Sequence, residues 1–306
     1  MSAKKDISRR GFMAAGAAAL LAGGPTASCM AMGVSPRPAA KMRFGLVTWL
    51  WAKDWNLPTL IANCEKSGLL GVELRTTHAH GVERDLTGEQ RRRVRERFAE
   101  SRVELVGIGS NERFDSPDPE KLAASIEATK AFVKLSRDVG GSGVKVKPDS
   151  FHEGVPREKT IEQIGESLHK VAAFAADYGQ QIRLEVHGGC AELPTIKAII
   201  EAADHPNARV CWNSNRQDLA GAGLEYNFNL VRPWFGDTAH VRELNDPEYG
   251  YPYPKLIELL VKIKYKGWVL LEAFTKPADR VEAMKEQKRI FEEMTAGLRP
   301  AEQVSS

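Results

Sequence analysis

A chain of 306 residues, 42% apolar and 27% charged, holds enough hydrophobic side chains to bury one large core, which excludes disorder as its default state. The formal charge of +3 comes from Lys4, Lys5, Arg9 and Arg10 less Asp6, so the remainder is near neutral and lacks the basic footprint of a nucleic-acid partner. No apolar run approaches the ~20 residues that a membrane-spanning helix needs.

The first residues are set apart from the fold. Paired arginines in Ser8-Arg9-Arg10-Gly11-Phe12-Met13, followed by a short apolar run from Ala14 to Gly24, predict a twin-arginine export signal over residues 1–32. Export implies the Tat machinery as a partner and a periplasmic or other extracytoplasmic location. Thr26-Ala27-Ser28-Cys29 puts small residues before a cysteine, so a lipid anchor at Cys29 is an alternative to simple cleavage, although the aliphatic residue usual three before it is missing. If the signal is cut after Cys29, the remaining Cys64, Cys190 and Cys211 have spacings that suggest neither a disulfide framework nor a zinc knuckle. Residues 33–40, with Pro36 and Pro38, read as a linker.

From there short β-branched or apolar runs recur: Phe44 to Thr48, Gly71 to Arg75, Val103 to Gly109, Val144 to Lys147, Ile182 to His187, Arg209 to Asn213, Thr238 to Glu243 and Trp268 to Phe274. Helical periodicity fills most of the intervals: Leu57 to Ser67, Gly88 to Ser101, Pro119 to Val139, Glu158 to Tyr178, Leu193 to Asp204, Pro254 to Lys264 and Pro277 to Leu298. The stretch from Asn215 to Asp237 reads as a long loop with a short helix at most. Such alternation predicts a (β/α)8 TIM barrel over 41–298, with a tail at 299–306. An open doubly wound sheet fits less well, because Gly140, Gly141 and Gly143 precede a strand instead of opening a helix.

In such a barrel the carboxyl ends of the strands face a cleft. The period of two puts Glu185 and His187 on one face of the fifth strand, and His240 with Arg242 on one face of the seventh. Glu272 ends the eighth. A carboxylate among leucines and valines costs several kcal/mol unless compensated. A divalent cation (Mg²⁺, Mn²⁺, Co²⁺ or Zn²⁺) would compensate it, and the structural alternative is an ion pair such as Glu272 with Arg242. His80, Lys147 and Asn215 are further candidates for lining the cleft. Trp49, with Trp51 and Trp55 after the first strand, offers a stacking platform for a sugar ring, core packing being the competing role.

Four motifs, Gly71-Val72-Glu73-Leu74-Arg75, Leu184-Glu185-Val186-His187, His240-Val241-Arg242-Glu243-Leu244 and Gly267-Trp268-Val269-Leu270-Leu271-Glu272, resemble in this order the xylose-isomerase-like barrels, which include sugar isomerases and ketose epimerases. The resemblance implies a metal held at Glu185, Asn213, His240 and Glu272, with Asn213 departing from the family's aspartate. It also implies proton transfer by Glu185 and Glu272 from opposite faces of the substrate, and substrate contacts from His187 and Arg242. The expected function is a metal-dependent isomerase, epimerase or related proton-abstracting lyase acting on an unphosphorylated sugar or keto-glycoside. The alternatives are a catalytically degenerate sugar-binding barrel and, further off, an abasic-site endonuclease-like barrel. Assembly into a homo-oligomer is left open.

Overall fold

The structure, a computed structural model, describes residues 42–298; the expected export signal, Cys29 anchor, linker and C-terminal tail lie outside the described residues. Strands β1 (Arg43–Val47), β2 (Gly71–Arg75), β3 (Glu104–Arg113), β4 (Gly143–Lys147), β5 (Gln181–Glu185), β6 (Ala208–Asn213), β7 (Phe235–Val241) and β8 (Trp268–Leu271) each pair in parallel with the next. β8 returns to β1, with Phe44 opposite Val269 and Leu46 opposite Leu271, and closes the barrel. Strands buried on both faces read as near-continuous apolar runs, which is why all eight stood out in the sequence.

The helices α1 (Leu57–Ser67), α2 (Gly88–Ala99), α3 (Pro119–Val139), α4 (Arg157–Ala176), α5 (Leu193–Ala203), α6 (Leu224–Val231), α7 (Tyr253–Lys262) and α8 (Arg280–Thr295) form the outer ring. Local chemistry sets their ends. Asn56 accepts the Thr59 amide at the start of α1, Thr87 and Gln90 form a reciprocal box at α2, and Asp118 and Asp279 cap α3 and α8. Gly68 (φ 76°) and Gly140 (φ 97°) stop α1 and α3 in the left-handed conformation that only glycine adopts without cost. The main apolar core fills the annulus between strands and helices, where Leu60, Ile61 and Cys64 of α1 and Leu256, Ile257 and Leu260 of α7 turn inward.

The interval 215–237 contains the short helix allowed for it, the eight-residue α6, and two 3-10 turns besides (Arg216–Leu219 and Arg232–Trp234). Leu224, Phe228 and Val231 recur at helical spacing and are buried, so α6 is stabilised by its packing despite its length.

Inside the barrel the usual branched apolar layers give way to charge. Arg183 is fully buried in the lower half, donating to Ser142 Oγ at 2.6 Å, Gln181 Oε1 at 3.1 Å and Val106 O at 3.3 Å. Small residues make its room: a Cβ at Gly107 would stand 2.6 Å from Gly143 O and 3.0 Å from Arg183 Nη1. One layer higher, a Cβ at Gly109 would meet Glu73 Oε1 at 2.8 Å.

Candidate active site

Three strands bring the predicted acid and imidazole groups together. Glu185 ends β5, His240 lies on β7 and Glu272 follows β8, and one ligand atom from each lies within 4.8 Å of the others. His240 Nδ1 is 3.2 Å from Glu185 Oε1 and 3.9 Å from Glu272 Oε2. Asn213, at the end of β6, donates its amide to Glu185 Oε1 at 3.0 Å. All four side chains are buried, so their charges must be balanced locally.

Much of that balance comes from residues to which the sequence reading gave no role. Lys145 Nζ is 2.7 Å from Glu185 Oε2, with both side chains wholly buried. Arg75 Nη1 is 3.2 Å from Glu272 Oε1, and its Nη2 donates to Asn111 Oδ1 at 2.8 Å. The expected pairing of Glu272 with Arg242 is therefore corrected. Arg242 instead lies between two rings, 4.0 Å from the Tyr249 centroid and 3.8 Å from that of Phe274, and makes no side-chain ion pair among the described residues. Glu73 of β2 is fully buried, its Oε1 3.2 Å from His240 Nε2 but out of line for a hydrogen bond, so both its oxygens and that nitrogen lack a bonded partner. The signal for Glu73 was present, since an acid between Val72 and Leu74 on a strand buried on both faces has to be matched by something inside.

Burial pushes the Glu185 carboxyl up, but Lys145 and His240 outweigh it and hold it well below the usual range. Glu73 is likewise lowered against its burial by His240 and Lys145. His240 is held well above its ordinary value despite burial, through Cys211 and the carboxylates of Glu73 and Glu185. The donors suit a hard or borderline divalent cation, because two carboxylates and an imidazole nitrogen converge at ligand-to-ligand distances while buried polar atoms lack partners. Asn213 supplies no charge, so the cation would meet one negative ligand fewer than in the family pattern.

The remaining predicted residues fall around this centre. His187 places Nδ1 2.8 Å from Asp149 Oδ1 at the joint of β4 and β5. That hydrogen bond, working against burial, keeps Asp149 below its ordinary value. Lys147 ends β4 one layer above Lys145. Trp49 is half-buried, carries the Arg75 guanidinium 4.5 Å from its ring centroid, and lies 6.3 Å from the Phe274 ring. Trp51 and Trp55 belong to the core.

Two candidates do not face the cleft with free polar atoms. His80 is buried, with Nε2 2.7 Å from Arg75 O and Nδ1 accepting from Val82 N at 3.0 Å, so both ring nitrogens serve to hold the loop after β2. Asn215 donates its amide to Val186 O at 2.6 Å and Asn213 O at 3.0 Å, tying the ends of β5 and β6 together.

Behind Asn215 lies Asp218, fully buried, its Oδ2 accepting from Tyr251 Oη at 2.7 Å and Asn215 N at 2.9 Å while Oδ1 has no partner. Burial pushes its carboxyl up to about 7. The folded chain then holds a proton that the unfolded chain releases at the ordinary value of 3.8, so this group's stabilisation is full at acid pH and is lost as pH rises through about 7. Asp218→Asn is expected to remove that slope, raising stability at pH 8 relative to pH 5 by on the order of 2 kcal/mol against the parent. Thermal midpoints of both proteins at the two pH values check it, and parallel curves would refute it.

Solved structures with the same fold include the apo form of the 3-keto-D-glucoside 4-epimerase YcjR from E. coli, at TM-score 0.70 and 14% identity over 83% of this chain and 100% of that one. An L-ribulose 3-epimerase superposes at TM-score 0.67 and 18% identity, covering 85% of this chain and 100% of the other. The IolI protein, solved with a bound zinc atom, does so at TM-score 0.67 and 16% identity over 84% of this chain and 99% of the other. No curated protein matches the chain by sequence. The match of residues 61–294 to the family described as xylose isomerase-like TIM barrel covers most of the closed barrel and all the converging side chains, and the chain belongs to that family.

Proposed function

We propose that the protein is a sugar isomerase or epimerase, or a related lyase that begins by removing a proton beside a carbonyl. It works with a divalent cation on an unphosphorylated sugar or keto-glycoside. The observation that carries this reading is the convergence of Glu185, His240 and Glu272 beneath an aromatic wall of Trp49, Phe274 and Tyr249. The names of the solved neighbours agree with it, since they include epimerases of 3-keto-D-glucoside, L-ribulose and D-psicose. The export motif at Arg9-Arg10 supports a site of action outside the cytoplasm, after cleavage or with an anchor at Cys29, and disfavours phosphorylated sugars.

Glu185, His240 and Glu272, with Asn213 beside them, would hold the cation. Bound there, it would polarise a carbonyl and the neighbouring hydroxyl and lower the barrier to loss of the α-proton. The chain's own groups do the rest. Lys145 keeps Glu185 ionised and fixes one of its oxygens; Arg75 orients Glu272 toward the cleft. Flat ring faces at Trp49 and Phe274 accept the apolar face of a sugar, while Arg242 and His187 donate to its oxygens and to the negative charge that develops on the carbonyl oxygen.

The test is elemental analysis of the purified protein together with deuterium wash-in from heavy water over a panel of ketoses and 3-keto-glycosides, before and after chelation. Stoichiometric metal, exchange on at least one sugar, loss on chelation and recovery with Mn²⁺, Mg²⁺, Co²⁺ or Zn²⁺ are expected. Absence of both metal and exchange would leave a sugar-binding barrel, the reading favoured by Asn213 at the aspartate position.

A further inference from the structure

Inverting a carbon requires one group to take its proton and a second to supply one from the opposite face. Glu272 stands on one wall, after β8. Glu185, the expected partner, is poorly placed for the second task, because Lys145 at 2.7 Å, Asn213 at 3.0 Å and His240 at 3.2 Å all fix its carboxylate. In a closed ring of eight strands the wall opposite β8 is β4, and β4 ends with Lys147.

Lys147 lies two residues after Lys145, so its side chain leaves the strand on the same inward face, one layer nearer the mouth. It is only 7% exposed, and among the described residues its ammonium makes no hydrogen bond or ion pair. Its ammonium keeps contact with solvent, and a lysine with a buried stem and a charged end left unpaired inside a barrel is uncommon outside functional sites. Resting on the epimerase reading above, we propose that Lys147 is the second proton-transfer group of the site, paired across the barrel with Glu272. The Glu272 carboxylate takes the proton from the carbon beside the carbonyl, and the C–H electron pair passes to the carbonyl oxygen as an enolate. The Lys147 ammonium then gives a proton to the opposite face of that carbon as the carbonyl re-forms. Glu272 is left as the acid and Lys147 as the amine, and proton exchange with solvent resets both. Burial, with Lys145 nearby, pushes the Lys147 amine down to about 8, which makes both of its forms accessible near neutral pH.

The test follows each sugar of the panel for epimer formation and, separately, for deuterium in the recovered starting sugar. In Lys147→Met, Glu272 can still remove a proton and return one to the same face. Epimer formation is therefore expected to fall by about a hundredfold or more, while wash-in stays within roughly tenfold of the parent and metal content is unchanged. Methylamine is expected to restore epimer formation to Lys147→Ala, a rescue that a purely structural role would not show. Epimer formation within about threefold of the parent in Lys147→Met, or equal losses of both activities without rescue by the amine, would overturn the assignment. If the parent itself exchanges nothing on any sugar, the epimerase reading falls, and this proposal with it.

Discussion

Lys145→Met is expected to lower the unfolding free energy of the metal-free protein by about 3–5 kcal/mol, the usual cost of removing one partner from a buried ion pair. Methionine matches the stem of lysine in volume, so cavity formation adds little and the loss isolates the charge. What remains is a buried Glu185 carboxylate close to that of Glu272, with His240 and the Asn213 amide as its direct contacts. A divalent cation would supply the missing positive charge, so Mn²⁺ or Zn²⁺ is expected to recover much of the loss, and to stabilise the variant more than the parent. Urea denaturation of both proteins with and without metal measures this. An unchanged midpoint in Lys145→Met would mean that Glu185 finds its balance elsewhere.

Glu272→Gln is expected to abolish both halves of the chemistry, reducing deuterium wash-in and epimer formation together by about 10²–10⁴. Glutamine keeps the size of the side chain and leaves Arg75 its second contact at Asn111, so the fold is expected to survive with a modest change in midpoint. The contrast with Lys147→Met is the informative part. One variant stops the first proton from leaving; the other lets it leave and return but blocks inversion. Metal content should also drop, since Glu272 is one of the three converging ligands. Retained wash-in in Glu272→Gln would move the first proton transfer to another group, with the half-exposed His187 beside Asp149 the next to try.

The barrel was legible because its strands are buried on both faces and its helices carry their own stop and start signals, such as Gly68, Gly140 and the caps at Asn56 and Asp118. The helix α6 was legible only as a short helix somewhere in a long loop, since the eight residues Leu224–Val231 hold barely two turns of periodicity and depend on packing for their stability. At the site, strand alternation singled out Glu185, His240 and Glu272, but the partners that balance them were out of reach. Glu272 meets Arg75 across 197 residues, a separation that the closed ring bridges, and Lys145 meets Glu185 across 40, a separation bridged by the pairing of β4 with β5. Arg242 looked like an acid's partner by its charge, yet the rings of Tyr249 and Phe274 hold it. Those rings sit in loops, where no periodicity marks them.

Arg183, wholly buried and bonded to Val106 O and Ser142 Oγ, plugs the lower half of the barrel below the site. A bound sugar then acts as the stopper of its own reaction vessel. A proton lifted from its carbon has no rear exit and can trade places with bulk water only by slipping past the ring or after the sugar departs. Label should accordingly enter the recovered starting sugar more slowly the more tightly that sugar seals the mouth, whereas the epimer takes its hydrogen from Lys147, already equilibrated with water.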